Sequence, residues 1–303
     1  MKKTVKKTKR RGFRLWIQIC FSALSNGYLL GFAKGKIWQG PTKVICSPGL
    51  NCYSCPGALF SCPVGSLQAT LNSRQYHVAL YVFGLLTVTG SLLGRAVCGF
   101  LCPFGLVQDL LFRLPIFKKR KILPGEKYLR FSRFVILAVL VIILPAAVAD
   151  SFGIGDPWFC KYFCPAGTLE AGIPLLLSSG ALRDSVGILF YVKLAILIFV
   201  VVLSVIIFRP FCRYFCPLGA LYGLFNRFAL YRYVFDEEKC VSCGACREAC
   251  ELSIPLPERV NSVDCIRCGE CLKACPTGAI GTVIPFPKKK KEDGEVADTY
   301  TGN

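Results

Sequence analysis

The chain has 303 residues, of which 53% are apolar, and its mean hydropathy is +0.50. Several uninterrupted apolar stretches approach the length that crosses a bilayer, so the composition indicates an integral membrane protein. A net charge of +19 raises the question of a nucleic-acid partner. The distribution of that charge excludes nucleic acid as an expected partner, because it follows membrane topology.

Four membrane spans are predicted, at about residues 15–32, 78–93, 134–149 and 185–208. Eight Lys and Arg precede the first span and nine more lie between the second and third, whereas the other loops carry few. By the positive-inside rule both termini face the cytoplasm, and the loops after the first and third spans face outward. The sequence therefore predicts a multi-pass protein of the cytoplasmic membrane of a prokaryote, with membrane lipid as a partner.

A Cys-Pro-x-Gly motif recurs along the chain, at Cys62, Cys102, Cys164, Cys216 and Cys275. The first four copies belong to a duplication in which a span, an outer motif, a second span and an inner motif occur twice. FSCPVGSLQ in the first outer loop matches YFCPAGTLE in the second, and CGFLCPFGLVQ on the inner side matches CRYFCPLGALY. The duplication predicts that two similar halves pack around a pseudo-twofold axis.

On the inner side each half supplies one C-x3-C pair, Cys98 with Cys102 and Cys212 with Cys216. Pseudo-twofold packing would bring the two pairs together, so a four-thiolate site for one [4Fe–4S] cluster is predicted at the cytoplasmic mouth. Structural disulfides or redox-active dithiols are the alternative. The reducing cytosol argues against them on this side.

On the outer side Cys160 and Cys164 form the equivalent pair, but their counterpart in the first half is irregular. Alignment of the halves on Cys62 puts Ala58 where the first cysteine should be, so Cys55 is predicted to complete an outer four-thiolate site. The outer side has six cysteines in all, two more than one cluster needs. They are left open as ligands, disulfide partners or free thiols: Cys46 and Cys52.

After the last span, two cysteine runs have the C-x2-C-x2-C-x3-C spacing of bacterial two-cluster ferredoxins, in which the fourth cysteine of each run serves the other cluster. Two [4Fe–4S] clusters are therefore predicted. One takes Cys240, Cys243, Cys246 and Cys275, and the other takes Cys265, Cys268, Cys271 and Cys250. Gly244 and Gly269 are expected to adopt turn conformations that side chains would hinder. Four-cysteine zinc knuckles, the alternative, fit this packed spacing poorly.

These patterns predict an all-α integral membrane bundle of about four helices with an internal duplication, followed by a small α+β two-cluster ferredoxin domain. The predicted domains are residues 1–230, residues 231–286, and a charged tail at 287–303 that is expected to be disordered. A quinone is a further candidate cofactor. Lys193 within the fourth span and His77 at the start of the second are its candidate contacts, with a snorkelling lysine and an interfacial polar anchor as the alternatives.

The inner CGFLCP and CRYFCP pairs after spans, followed by the double ferredoxin run, resemble the membrane polyferredoxin family. That family contains the quinol-dehydrogenase iron–sulfur membrane subunit of periplasmic nitrate reductase systems and the membrane half of nitrous-oxide-reductase regulators. The resemblance implies electron transfer between the quinone pool and extracytoplasmic partners. An extracytoplasmic flavoprotein or haem protein is the partner expected there, and a cytoplasmic ferredoxin-like protein or flavoprotein is a candidate donor.

The predicted function is membrane-bound iron–sulfur electron transfer between the cytoplasmic or quinone side and an extracytoplasmic redox partner. No acid–base or nucleophilic constellation competes, so no catalytic residue is predicted, and a role as a quinol dehydrogenase component stays open. The alternative is a membrane redox sensor or assembly factor that uses its outer thiols together with the ferredoxin domain.

Overall fold

A computed structural model describes residues 11–73, 76–148 and 155–283. The side chains of residues 72–79 fall outside the described part, and so does the predicted tail at 287–303. We call the described residues up to 230, which are mostly helical, the helical domain, and residues 231–283, which carry the two ferredoxin-type cysteine runs, the ferredoxin domain. The prediction of a mostly helical chain is confirmed.

The first half of the helical domain contains six α-helices and one 3-10 turn among its described residues. The helices are Arg11–Ser25, Leu29–Lys34, Pro63–Ser73, Tyr76–Leu93, Ala96–Phe100 and Pro103–Arg113, and the turn is Pro41–Val44. The outer cysteine-rich loop lies between the second and third of these helices.

The predicted first span, at about residues 15–32, is not one continuous helix in the structure, because the first helix ends at Ser25 and a second covers Leu29–Lys34. The carbonyl of Ser25 accepts a hydrogen bond from the backbone N–H of Leu59 (2.9 Å), and Tyr28 N–H donates to the carbonyl of Gly57 (3.1 Å). Backbone groups that would otherwise form the next hydrogen bonds of the helix therefore bond to the outer loop instead. A short second helix, Leu29–Lys34, then follows.

The second half of the helical domain begins with a long helix, Glu126–Ile136, which continues through a π-helical stretch, Leu137–Ile143, to Leu144–Ala147. Further elements are the π-turns Phe159–Phe163, Thr168–Gly172 and Phe211–Phe215, and the α-helices Pro165–Gly167, Ile173–Ser178, Gly180–Asp184, Ile188–Ile206 and Pro217–Phe225. Two of the π-turns are FCKYF and FCRYF, the equivalent segments that carry Cys160 and Cys212.

Two helices of the described residues are long and apolar enough to cross a membrane, Glu126–Ala147 with 22 residues and Ile188–Ile206 with 19. They correspond to the predicted third and fourth spans. The segment Leu80–Leu93 in the predicted second span is apolar but shorter. A bundle of four membrane-spanning helices therefore stays a prediction.

The ferredoxin domain has a two-stranded antiparallel sheet and two short helices. Strand Tyr233–Phe235 pairs with strand Ile280–Thr282, with Val234 opposite Gly281. The helices, Ala245–Ala249 and Glu270–Ala274, each begin directly after a glycine with positive φ, Gly244 at 73° and Gly269 at 81°. The left-handed turns expected at these glycines are present.

Close polar contacts fix the ferredoxin domain to the helical domain. The Asn226 amide donates to the carbonyls of Ser262 (2.8 Å) and Cys265 (2.7 Å). Asp264 pairs with Arg130 at 2.7 Å and with Arg133 at 2.6 Å, both on the helix that starts at Glu126. These contacts place one ferredoxin cysteine run directly on the helical domain.

Candidate iron–sulfur sites

The Cys-Pro-x-Gly motif starts a helix with its cysteine as the N-cap. Cys102 and Cys216 precede helices whose first residue is proline, the position that proline favours. Their Sγ atoms accept hydrogen bonds from the backbone N–H groups of Gly105 (3.4 Å) and Gly219 (3.3 Å). A helix N-terminus stabilises negative charge, so the motif presents a thiolate where it is electrostatically favoured.

We call the thiols of four cysteines the inner quartet: Cys98, Cys102, Cys212 and Cys216. All four are buried, and they lie close enough for charges on their sulfur atoms to interact. Gln108, from the first half, forms two hydrogen bonds with the second half at this site. Its Nε2 donates to Cys212 Sγ (3.2 Å) and its Oε1 accepts from Phe211 N–H (3.1 Å). The duplication thus brings the two predicted pairs to one place.

Two buried guanidinium groups flank the inner quartet. Arg95 donates to the carbonyl of Cys212 (2.7 Å) and Arg209 donates to the carbonyl of Cys98, and both residues are at most 1% exposed. Arg209 is paired with Asp109 (2.6 Å), whereas the nearest carboxylate to Arg95 is Asp264 at 3.9 Å. Buried positive charge suits a site that holds an anionic group.

On the outer side the structure groups Cys62, Cys160 and Cys164 with Cys52, not with the predicted Cys55. We call these four thiols the outer quartet. Two motif glycines lie beside it: a Cβ added to Gly65 would lie 3.8 Å from Cys160 Sγ, and one added to Gly167 would lie 3.6 Å from Cys52 Sγ, both ordinary contact distances. Cysteines from both halves therefore face each other, as on the inner side.

The outer loop explains why Cys52 takes the place expected for Cys55. Glu170 accepts a hydrogen bond from the Cys52 backbone N–H (2.8 Å), which fixes this cysteine beside the second half. A turn then follows, closed by Cys55 N–H to the Cys52 carbonyl (3.2 Å), and the Cys55 thiol donates to Asn26 Oδ1 (3.7 Å) instead. Burial raises the pKa of Glu170 to about 7.

The remaining outer cysteine, Cys46, is buried and its thiol donates to Ser66 Oγ (3.4 Å). None of the cysteines in the described residues forms a disulfide. Gln68 repeats the role of Gln108: its Nε2 donates to Cys160 Sγ (3.3 Å) and its Oε1 accepts from Phe159 N–H (3.0 Å). The two quartets are therefore built on the same plan.

The ferredoxin cysteines are grouped as the spacing predicts. Cys275 lies with Cys243 and Cys246 of the first run, and these residues line a cavity of about 330 Å³ together with Cys240. Cys250 lies with the second run in a cavity of about 390 Å³, whose other cysteines are Cys265, Cys268 and Cys271. Leu256 lines both cavities, so the two ferredoxin quartets are neighbours.

The donor sets fit [4Fe–4S] clusters. Each of the four quartets brings four thiols together, which matches all-cysteine cluster ligation. Among the described residues, no three Cys, His, Asp or Glu side chains converge closely enough to hold a single metal ion. A cubane with four irons is larger than one ion and needs its thiolates farther apart.

The inner and outer quartets are joined by a short stretch of the outer loop. The backbone N–H of Leu50 lies near the Cys102 thiol, and the backbone N–H of Asn51 lies near the Cys62 thiol. The next residue, Cys52, belongs to the outer quartet. Two residues of extended chain cover at most about 7 Å, so the loop reaches from one quartet to the other.

Contacts at two glycines bring further parts together. A Cβ on Gly49 would lie 2.5 Å from the carbonyl oxygen of Leu101, so the outer loop packs tightly on the inner motif. A Cβ on Gly99 would also lie 2.5 Å from a carbonyl oxygen, that of Ile266 in the ferredoxin domain. Gly99 stands between the two inner cysteines of the first half, and Ile266 stands next to Cys265.

Of the two candidate quinone contacts, Lys193 is the one whose side chain is described. Lys193 Nζ donates to the carbonyl of Cys160 (3.1 Å), so it supports the outer quartet. The side chain of His77 lies outside the described residues.

Sequence reasoning missed several polar residues around the quartets. Gln68 and Gln108 occupy the sixth position after Cys62 and Cys102, so an extended motif C-P-x-G-x-x-Q was a signal that could have found them. Asn51 carries no such signal, because its position depends on how the outer loop folds.

Comparison with known proteins gives two matching family profiles, both described as 4Fe-4S binding domain. One matches residues 76–124, 134–178 and 189–232, and the other matches residues 233–251 and 258–281. The first profile therefore recurs three times in the helical domain, and the second covers both ferredoxin cysteine runs. No solved structure matches this chain at significant similarity.

Curated relatives come from archaea and bacteria. An uncharacterized protein of Methanocaldococcus jannaschii is 30% identical over 179 residues, which are 58% of this chain and 67% of that protein. The putative electron transport protein YccM of Escherichia coli is 28% identical over 189 residues, 57% of this chain and 46% of YccM. The regulatory protein NosR of Stutzerimonas stutzeri is 27% identical over 190 residues, 59% of this chain and 23% of NosR. The matched regions thus span about two thirds or less of each of these relatives.

Proposed function

We propose a route for electrons through this chain, starting from the fact that the chain belongs to the NosR-like polyferredoxin family and is an iron–sulfur electron-transport protein. In this proposal electrons pass between the ferredoxin domain on the cytoplasmic side and an extracytoplasmic redox partner. Four [4Fe–4S] clusters are held in sequence by the two ferredoxin quartets, the inner quartet and the outer quartet. When bound, such clusters supply one-electron transfer.

The observation that carries the proposal is the unbroken order of contacts between the quartets. Leu256 lines the cavities of both ferredoxin quartets. Ile266, beside the second of them, packs its carbonyl on Gly99 of the inner motif. Leu50 then contacts Cys102, and the chain continues through Asn51 to the outer quartet.

The short distance between the inner and outer quartets allows electrons to cross the membrane in steps. The hydrocarbon layer is about 30 Å thick, too far for a single step between two clusters at its surfaces. The outer loop folds inward until Gly49 packs on Leu101, so the two quartets are a few residues apart. Irregular backbone of this kind is tolerated at membrane depth when it is buried in protein, and Leu50 and Asn51 are at most 2% exposed.

The surrounding side chains perform three tasks. The motif helices and Gln68 and Gln108 donate hydrogen bonds to cysteine sulfur, which stabilises the thiolate form. Arg95 and Arg209 place buried positive charge beside the inner quartet. Tyr222, fully buried between the quartets, donates to the Pro48 carbonyl (2.9 Å) and holds the outer loop in place.

The membrane placement completes the proposal. Helices Glu126–Ala147 and Ile188–Ile206 cross the membrane together with the predicted first and second spans, and both termini are cytoplasmic. An extracytoplasmic flavoprotein or haem protein exchanges electrons at the outer quartet. A quinol or a cytoplasmic ferredoxin-like protein or flavoprotein exchanges them at the other end.

Electron transfer across a sealed vesicle tests this function. The anaerobically purified protein is reconstituted into liposomes that contain trapped ferricyanide, and dithionite is added outside. We expect the trapped ferricyanide to be reduced much faster than in protein-free liposomes. Cys216→Ser should abolish this, because it removes one inner ligand, whereas Cys20→Ser should not, because Cys20 is exposed and belongs to no quartet. Equal rates for wild type and Cys216→Ser would contradict the proposed route.

A further inference from the structure

The side chain of Asn51 is a buried polar group without a partner. The residue is 0% exposed, and neither Oδ1 nor Nδ2 has a hydrogen-bond partner among the described residues. Burying an unsatisfied amide costs roughly 1 to 3 kcal/mol. Such groups are rare in native proteins and call for a partner.

The surroundings of Asn51 restrict what that partner is. Its own backbone N–H lies near the Cys62 thiol, and the following residue, Cys52, is itself in the outer quartet. Two sulfur ligands of one site therefore flank this residue. Leu50, on the other side, contacts the inner quartet through Cys102.

A comparison within the chain supports a sulfur partner. In both quartets a side-chain amide already donates to a cysteine sulfur, Gln68 to Cys160 and Gln108 to Cys212. The inner and outer quartets differ in that the outer one has the further amide of Asn51, which has no hydrogen-bond partner in the part of the chain that the structure describes.

We infer that the Asn51 side-chain amide donates a hydrogen bond to the group held by the outer quartet and sets its reduction potential. This inference rests on the proposed function, because it requires an outer cluster. Asn51 acts as a positioning residue: it carries no electron, and its N–H stabilises the added negative charge of the reduced state. Removing the donor should therefore lower the reduction potential of the outer cluster.

The test is a redox titration followed by EPR on detergent-purified wild type and on Asn51→Leu, which has a similar shape but no amide. We expect the equilibrium constant for one-electron reduction of the outer cluster to fall about tenfold, a shift of about 59 mV. The inner and ferredoxin signals should stay where they are. Ser47→Ala is the matched control in the same loop: its Oγ only accepts a weak bond from Gly49 N–H (3.4 Å), so no potential should move.

Iron analysis of the same samples separates the two claims. A wild type without an outer cluster would contradict the proposed function. An outer cluster that is present in Asn51→Leu with an unshifted potential, or a shift confined to the inner cluster, would overturn the inference about Asn51 alone.

A second measurement is needed where Asn51→Leu does not assemble. Wild-type protein labelled with amide-¹⁵N asparagine is then examined by pulsed EPR with the outer cluster reduced. A ¹⁵N hyperfine coupling on that cluster is expected, and its absence would equally overturn the inference.

Discussion

Asp264 is predicted to be the main electrostatic anchor between the two domains, and Asp264→Asn tests this. The Asp264 side chain is 11% exposed, and its carboxylate lies 2.6 Å from Arg133, 2.7 Å from Arg130 and 3.9 Å from Arg95. Burial alone would raise the pKa of Asp264, but the three guanidinium groups outweigh it and the pKa is lowered. The substitution keeps the shape and leaves buried Arg133, 1% exposed, without its counter-charge.

The expected cost follows from that burial. Removing one partner of a buried ion pair destabilises a protein by about 3 to 5 kcal/mol. For a domain of this size, about 2 °C or more of melting temperature is lost per kcal/mol, so the midpoint should fall by about 6 °C or more. Glu258→Gln is the matched control, because its pair with Arg247 is 3.6 Å long and both side chains are more than half exposed. Such surface pairs contribute about 1 kcal/mol or less.

The assay follows the iron–sulfur absorbance of the anaerobic protein during heating, at one fixed scan rate because the loss of clusters is irreversible. Asp264→Asn should lose its absorbance well below the wild type, and Glu258→Gln should stay within about 2 °C of it. Equal midpoints for the two variants would refute the reasoning, since the buried and the exposed carboxylate would then contribute alike.

Three further predictions concern the quartets. Gly99→Val should keep the full iron content but slow electron exchange between the ferredoxin and inner clusters, as measured by rapid-freeze EPR. The reason is that even a Cβ at this position would lie 2.5 Å from the Ile266 carbonyl oxygen of the ferredoxin domain. An unchanged rate would contradict the importance of that contact. Cys52→Ser should remove about four irons per chain whereas Cys55→Ser removes none, and the reverse result would return Cys55 to the outer quartet. Gln108→Leu should lower the reduction potential of the inner cluster in an EPR-monitored redox titration, because it removes the N–H donor to Cys212 Sγ (3.2 Å). An unshifted reduction potential would show that this hydrogen bond does not influence the cluster.

The sequence predicted those features that depend on local spacing or on the duplication. The cross-over of Cys250 and Cys275 between the ferredoxin runs follows from a fixed spacing, and the glycine turns at Gly244 and Gly269 follow from backbone sterics. The pairing of the inner motifs follows from the repeat. Each of these features requires only that equivalent segments behave alike.

The outer loop could not be predicted in the same way, because long-range hydrogen bonds shape it. The choice of Cys52 over Cys55 depends on Glu170, 118 residues away, and the break after Ser25 depends on Leu59. Alignment of the two halves contains neither contact, since the loop has no regular counterpart in the second half. The partnerless amide of Asn51 is visible only after the loop is folded.

The central claim is that four cysteine quartets each hold a [4Fe–4S] cluster, and the most direct measurement is iron and acid-labile sulfide per chain, with Mössbauer spectroscopy, on anaerobically purified protein. We predict about sixteen irons for the wild type, all in cubane sites, and about twelve each for Cys216→Ser and Cys164→Ser. A wild type with about eight irons, unchanged in both variants, would confine the clusters to the ferredoxin domain and contradict the account.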